Sequence, residues 1–146
     1  MTQRFNINKP RVFAAAVFLS LCSLAQAEVA VIVNPKSSLG TLTPDQAASL
    51  FLGKSVTLPS GSAVALTDLP DSSAVREQFY SKAAGKTSAQ VKAAWSRLTF
   101  SGKATPPKEL ASAADVKKYV AANVDAIGYI EKAAVDGSVK VVLTVE

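Results

Sequence analysis

The chain is expected to fold as an α/β domain in which a central mixed sheet is flanked by about four helices. Three observations carry that expectation. Short apolar runs, several rich in β-branched residues, lie at 29–33, 63–66, 126–130 and 139–145 of the 146 residues, the pattern of strands. Between them, apolar residues recur at every third or fourth position, the pattern of amphipathic helices. Each helical segment is preceded by a Ser or Thr placed to cap it.

Residues 29–33, Val-Ala-Val-Ile-Val, run without a polar break until Asn34-Pro35, as expected of a strand buried on both faces. In Thr43-Pro44-Asp45-Gln46 the Thr43 hydroxyl can accept from the Gln46 amide, Pro44 lacks a donor the helix start does not need, and Gln46 can reach back to Thr43. Ala47, Leu50 and Phe51 then share a face, and Gly53 can stop this first helix. Pro59-Ser60-Gly61 turns the chain into a short strand over 63–66. A second helix is expected over 73–84, ending at Gly85, with Val75, Phe79 and Ala83 inward.

Thr87-Ser88-Ala89-Gln90 repeats the capping box, and Val91, Ala94, Trp95 and Leu98 fall at i, i+3, i+4 and i+7 of a third helix. Residues 102–108 hold Pro106-Pro107 and cannot continue it, so they read as a loop. Ser112 opens a fourth helix with Val116, Tyr119 and Val120 on its buried stripe. Residues 126–130 and 139–145 read as strands around an Asp136-Gly137 turn.

The first 27 residues read as an export signal. Arg4, Lys9 and Arg11 precede the apolar run Val12 to Leu24, and Ala25-Gln26-Ala27 offers a small-x-small cleavage site. The run falls short of the roughly 20 residues a membrane-spanning helix needs. The expected mature domain is 28–146, periplasmic, with no membrane span after cleavage. Lipidation at Cys22 is a minor alternative, since Leu21 stands where that processing wants a small residue.

Cleavage takes the basic count from 16 to 13 against 11 acidic residues, and the net charge from +5 to +2. The remaining Lys and Arg are scattered among acids, which argues against nucleic-acid binding. Cys22 is the only cysteine and there is no His. Triad catalysis is thereby excluded, and no metal site or cofactor is expected. No nucleophile–base pair can be assembled from the motifs, so an enzyme is not expected.

The stretch Thr67-Asp68-Leu69-Pro70-Asp71-Ser72-Ser73-Ala74-Val75-Arg76 follows a strand and opens a helix. Amides at a helix start lack partners within the helix and carry the positive end of its dipole, so they attract an anion. Ser72 and Ser73 could add hydroxyl donors, with Ala74 at the first turn, and Arg76 a guanidinium. Equally, Asp71, Ser72 or Ser73 could simply cap the helix, with Arg76 paired to Asp71 or Glu77 at the surface. Asp68 and Asp71 also put negative charge where an anion would sit. The polar loop after the first strand places Ser37 and Ser38 where an open α/β sheet can bind ligands, as secondary donors or as a solvated loop.

Three blocks, Leu42-Thr43-Pro44-Asp45-Gln46 through Phe51-Leu52-Gly53-Lys54, Asp71-Ser72-Ser73-Ala74-Val75-Arg76-Glu77-Gln78-Phe79, and Ala126-Ile127-Gly128-Tyr129-Ile130, resemble in order and spacing the periplasmic phosphate-binding proteins of ABC transporters. The resemblance implies a type II periplasmic-binding-protein-like fold with phosphate held at a helix start. In that family the helix start usually reads as Arg followed by Gly-Ser-Gly-Thr. Ser73 matches the serine; Ala74 and Val75 stand in place of glycine and threonine, and Asp68 or Leu69 in place of Arg. The length leaves room for one lobe of the two such proteins have.

The function this implies is an exported single-domain solute-binding-like protein that recognises phosphate or a related small oxyanion, in connection with ABC-type phosphate transport. The candidate ligand set is Ser72, Ser73, Ala74, Arg76, Ser37 and Ser38. The alternative is a ligand-free interaction module that docks on a membrane sensor, transporter or secretion component.

Overall fold

The computed structural model describes residues 27–146. The expected export signal, with Cys22, lies outside the described residues but for its last residue, Ala27. Strand β1, Val29–Val33, is buried along its whole length. Helix α1, Pro44–Phe51, carries the full Thr43/Gln46 capping box. Strand β2 is Ala65–Asp68. Helix α2, Ala74–Ala84, is capped by Ser73 and closed by Gly85 in the left-handed region. Helix α3, Ser88–Phe100, carries the Thr87/Gln90 box. A two-residue strand β3, Lys108–Glu109, precedes helix α4, Ala113–Ala122, capped by Ser112. Strands β4, Ala126–Glu131, and β5, Lys140–Val145, are joined through a 3₁₀ turn, Lys132–Ala134.

The five strands form one mixed sheet in the order β3-β2-β4-β1-β5. β1 runs antiparallel to both β4 and β5, whereas β2 runs parallel to β4 and to β3. The strands over 126–130 and 139–145 are therefore present, but β1 lies between them, and Asp136-Gly137 sits in a connection across it rather than in a hairpin turn. The exposed edge of β5 is interrupted. Its register against β1 shifts between Val31 and Ile32, and there the Val142 carbonyl accepts from the Leu42 amide at 2.9 Å, a device that blunts an edge strand.

Two glycines explain the sequence blocks that contain them. A Cβ at Gly128 would lie 2.5 Å from Thr67 Oγ1 and 2.6 Å from Val116 Cγ1, so only glycine lets α4 approach the sheet this closely. Gly53 has φ +73°, and a Cβ there would meet Leu98 at 2.6 Å and Trp95 at 2.9 Å. It ends α1 and admits the edge of α3, where the Trp95 indole N–H donates to the Phe51 carbonyl at 2.8 Å.

Because side chains alternate along a strand, Tyr129 faces away from α4. It enters an aromatic cluster with Phe51, Phe79 and Tyr80, stacked on Phe79 at 4.2 Å between centroids and edge-on to Phe51 at 5.6 Å. These rings form the core between the sheet and helices α1 and α2. The buried residues of α2 are Arg76, Phe79 and Tyr80, while Val75 and Ala83, expected inward, are only partly buried. The buried face is rotated toward Arg76 because that guanidinium finds partners inside.

The second strand also lies two residues later than its apolar run suggests. Thr67 and Asp68 belong to it, each buried. A polar side chain is tolerated in a buried strand only when hydrogen-bonded, and both are: the Thr67 hydroxyl donates to the Ile127 carbonyl at 3.0 Å. The expected loop over 102–108 is a loop up to Pro107, after which Lys108 and Glu109 pair with Thr67 and Asp68.

Candidate functional site

Strand β2 ends at Asp68, and the chain turns through Pro70, whose carbonyl accepts from the Ser73 amide at 2.9 Å, into α2. Ser73 is the cap residue: its hydroxyl oxygen accepts from the Arg76 amide at 3.3 Å. That commitment settles how α2 begins but leaves the amides of Ala74 and Val75 without acceptors among the described residues. Ser72 lies exposed in the turn.

Asp68 is held by a set of donors. The Tyr80 hydroxyl donates to Oδ2 at 3.0 Å, the Tyr129 hydroxyl donates to Oδ1, and the Leu69 amide donates to Oδ1 at 2.9 Å. The Arg76 Nε adds a charge-assisted bond to Oδ1 at 3.3 Å. The phenols remain neutral far into the alkaline range, because burial and then the neighbouring Asp68 charge raise both pKa values above the ordinary tyrosine value.

Arg76 is nine-tenths buried, and its guanidinium spans the space between this cluster and the helix start. Beyond Asp68, its Nη1 forms an ion pair with Asp71 at 3.1 Å and donates to the Ser88 hydroxyl, and its Cζ lies 5.2 Å from the centroid of the Tyr80 ring. Burial alone would lower its pKa; Asp68, Asp71 and the two phenols outweigh that and raise it. Asp71 bridges onward to Lys92 at 2.9 Å, and Lys92 and then Arg76 hold its carboxyl below the ordinary aspartate value. Two cations are thus balanced by two carboxylates, so the helix start carries no surplus positive side chain.

One donor is left over. Nη2 of Arg76 has no hydrogen-bond partner among the described residues. No buried side-chain nitrogen or oxygen among them goes unpartnered, so Nη2 is reached by solvent. Arg76 lines a groove of about 460 Å³ at the carboxyl ends of β2 and β3. Leu69, Trp95, Phe100, Pro106 and Pro107 make the groove's apolar wall, and Asp68, Lys92 and Glu109 supply its other charges.

The expected ligand residues divide into two groups. Ser72, Ser73, Ala74 and Arg76 are brought together at the start of α2. Ser37 and Ser38 are not brought to it: β1 runs antiparallel to β4, and β4 parallel to β2, so the loop after β1 lies at the opposite end of the sheet. There the Asn34 side chain donates to the Val120 and Ala121 carbonyls at 3.1 and 2.9 Å, the Ser37 hydroxyl accepts from the Leu39 amide, and the Ser37 carbonyl accepts from Lys140. The rule behind the expectation concerns the carboxyl ends of parallel strands, and β1 is antiparallel to both its neighbours. Tyr80, Tyr129, Trp95, Phe100 and Glu109 line or support the site and were not among the expected ligand residues. Nothing in local spacing marks them, because four elements, α2, α3, β3 and β4, supply them.

A mixed sheet of this order, with a helix starting beside the carboxyl end of a parallel strand, is the arrangement of an α/β lobe. Among solved structures the chain is similar to a phosphate ABC transporter substrate-binding protein of Clostridium perfringens with bound phosphate, at TM-score 0.64 and 22% identity, over 80% of this chain and 45% of that one. It is similar to an ABC-type phosphate transport receptor of Vibrio cholerae at TM-score 0.62 and 23% identity, over 80% and 46%, and to PstS of Borrelia burgdorferi at 0.55 and 12%, over 80% and 47%. No protein-family model and no curated protein matches the sequence. The chain has the phosphate-binding-protein fold and spans just under half the length of these neighbours, in keeping with one lobe. No helix among the described residues is long and apolar enough to cross a membrane.

Proposed function

We propose that this chain is an exported, periplasmic single-lobe binding protein that recognises a small oxyanion at the start of α2, in connection with ABC-type transport, and that it is not an enzyme. The observation that carries the reading is Arg76 Nη2, a donor on a buried guanidinium that is unclaimed among the described residues, together with the likewise unclaimed amides of Ala74 and Val75 at the start of the same helix. The solved neighbours, two of them phosphate-transport proteins of this fold, support the general class. Ser72 and Ser73 serve differently: Ser72 is free to donate to the ligand, and Ser73 holds the amides in place.

Thermal unfolding of the purified protein in phosphate, sulfate and acetate at constant ionic strength tests this. A ligand that binds only the folded state stabilises it by about 2.7 kcal/mol at a hundredfold excess over Kd. A rise in Tm for an anion, lost in Arg76→Lys, supports the reading; no rise for any of them counts against it.

Docking on a membrane sensor, transporter or secretion component is the second reading, and Phe100 favours it. The ring is 96% exposed and shares the groove's apolar wall with Leu69, Trp95, Pro106 and Pro107, and a contiguous apolar surface, unlike a lone ring, marks contact with another molecule. A photocrosslinker at position 100 that captures an integral membrane protein in intact cells would support it; clean recovery of the uncrosslinked chain would not.

A further inference from the structure

The groove says more about the anion than that it is small. We infer that the oxyanion recognised here is the single carboxylate of an organic molecule with an aromatic or bulky apolar body, rather than inorganic phosphate. This rests on the oxyanion reading of the same site and narrows it.

Two independent features lead there. The first is charge. Arg76 and Lys92 are already matched by Asp68 and Asp71 through contacts of 2.9 to 3.3 Å. Glu109 is the register partner of Asp68 across β2 and β3 and lines the same groove, with no ion-pair partner among the described residues. A phosphate dianion would bring two charges to a place whose side chains sum to a negative value, and only one guanidinium nitrogen remains to meet them. A monoanion needs one such donor, and Nη2 is unclaimed among the described residues. Like charges placed close together are costly where water is partly excluded.

The second feature is shape and polarity. About 460 Å³ is far more room than a four-oxygen anion fills and lies within the roughly 300–1,000 Å³ of pockets that hold organic ligands. Its wall is made of Leu69, Trp95, Phe100, Pro106 and Pro107, flat apolar surfaces that stack well on a ring. Arg76 and this apolar wall line the same groove, a combination matched by a carboxylate attached to a hydrophobic body.

Trp95 is the only tryptophan in the chain, so its fluorescence reports occupancy directly. The purified protein is titrated with phenylacetate, acetate, inorganic phosphate and the uncharged phenylacetamide, with calorimetry as a second readout. The expected order places phenylacetate about tenfold or more tighter than each of the other three, a difference of about 1.4 kcal/mol. Phe100→Ala, at a position too exposed to matter for folding, is expected to weaken phenylacetate several-fold and leave acetate unchanged. If phosphate or acetate binds as tightly as phenylacetate, the inference falls and the oxyanion reading stands. If phenylacetamide equals phenylacetate, the charge is not being read and both fall. Absence of binding by every probe at concentrations on the order of 10 mM also overturns both.

Discussion

Asp68 and Arg76, eight residues apart across the turn between β2 and α2, form an ion pair at 3.3 Å whose side chains are 10% and 5% exposed. The pair joins the end of a strand to the first turn of a helix, and both tyrosine hydroxyls close around it. A surface role for Arg76, one of the readings open from spacing, is thus replaced by a structural one that leaves Nη2 without a partner among the described residues.

Removing one partner should therefore be expensive. Arg76→Ala leaves the Asp68 charge buried without its cation, and a loss of about 3–5 kcal/mol is expected, so this substitution cannot report on binding alone. Arg76→Lys retains the charge and should cost less. Chemical denaturation of both variants checks the order; equal stability of Arg76→Ala and the parent protein would show that the pair contributes nothing.

The two buried phenols predict an alkaline limit. In the unfolded chain Tyr80 and Tyr129 release protons near the ordinary value of 10.0, whereas in the folded protein both are raised. Above about pH 10 the unfolded state therefore binds fewer protons than the folded one, and stability falls as pH rises, by up to about 1.4 kcal/mol per pH unit for each phenol. Below pH 10 they contribute no slope. Tm measured from pH 8 to 11.5 should bend downward near 10 in the parent protein and bend less in a Tyr80→Phe/Tyr129→Phe variant, which starts from lower stability. An identical bend in both would remove these residues as the cause.

Gly128→Ala should destabilise by about 1–3 kcal/mol, the range for overpacking, because the new methyl meets Thr67 and Val116 at about 2.5 Å. Gly137→Ala, where nothing lies within 4 Å, is the matched control and should change little. Urea midpoints for the two variants decide it, and a harmless Gly128→Ala would mean that α4 can move away freely.

Ser37→Ala/Ser38→Ala should leave binding of any anion at the α2 start unchanged, since antiparallel β1 carries that loop to the far end of the sheet. Titration of this variant beside Ser72→Ala provides the comparison. A loss of affinity in the first variant alone would move the site to the β1 loop.

How much of this could be read before the fold was seen depends on how local the cause is. Caps are local: Thr43, Ser73, Thr87 and Ser112 each accept from the amide three residues on, and all four helix starts were legible from them. The export signal, by contrast, lies outside the described residues. Strand pairing is not local. The runs over 126–130 and 139–145 look like a hairpin, yet the intervening strand is the one made nearly a hundred residues earlier. The candidate site was legible in its α2 half, Ser72 to Arg76. The depth of Arg76 was not, because an arginine counts as polar in any periodicity, and only Asp68, Tyr80 and Tyr129 converging from β2, α2 and β4 make its burial tolerable. Phe100 gave no signal either: one aromatic at a helix end reads the same whether it faces a core or the solvent.

The position of β1 in the middle of the sheet also determines when the molecule can be completed. Val29 lies opposite Glu131 on one side and Val145 on the other, so β1 finds both its neighbours only far along the chain, beyond α4. Contacts of such sequence separation slow folding. Until β4 and β5 arrive, the five apolar residues of β1 have both edges unpaired, a state prone to aggregation.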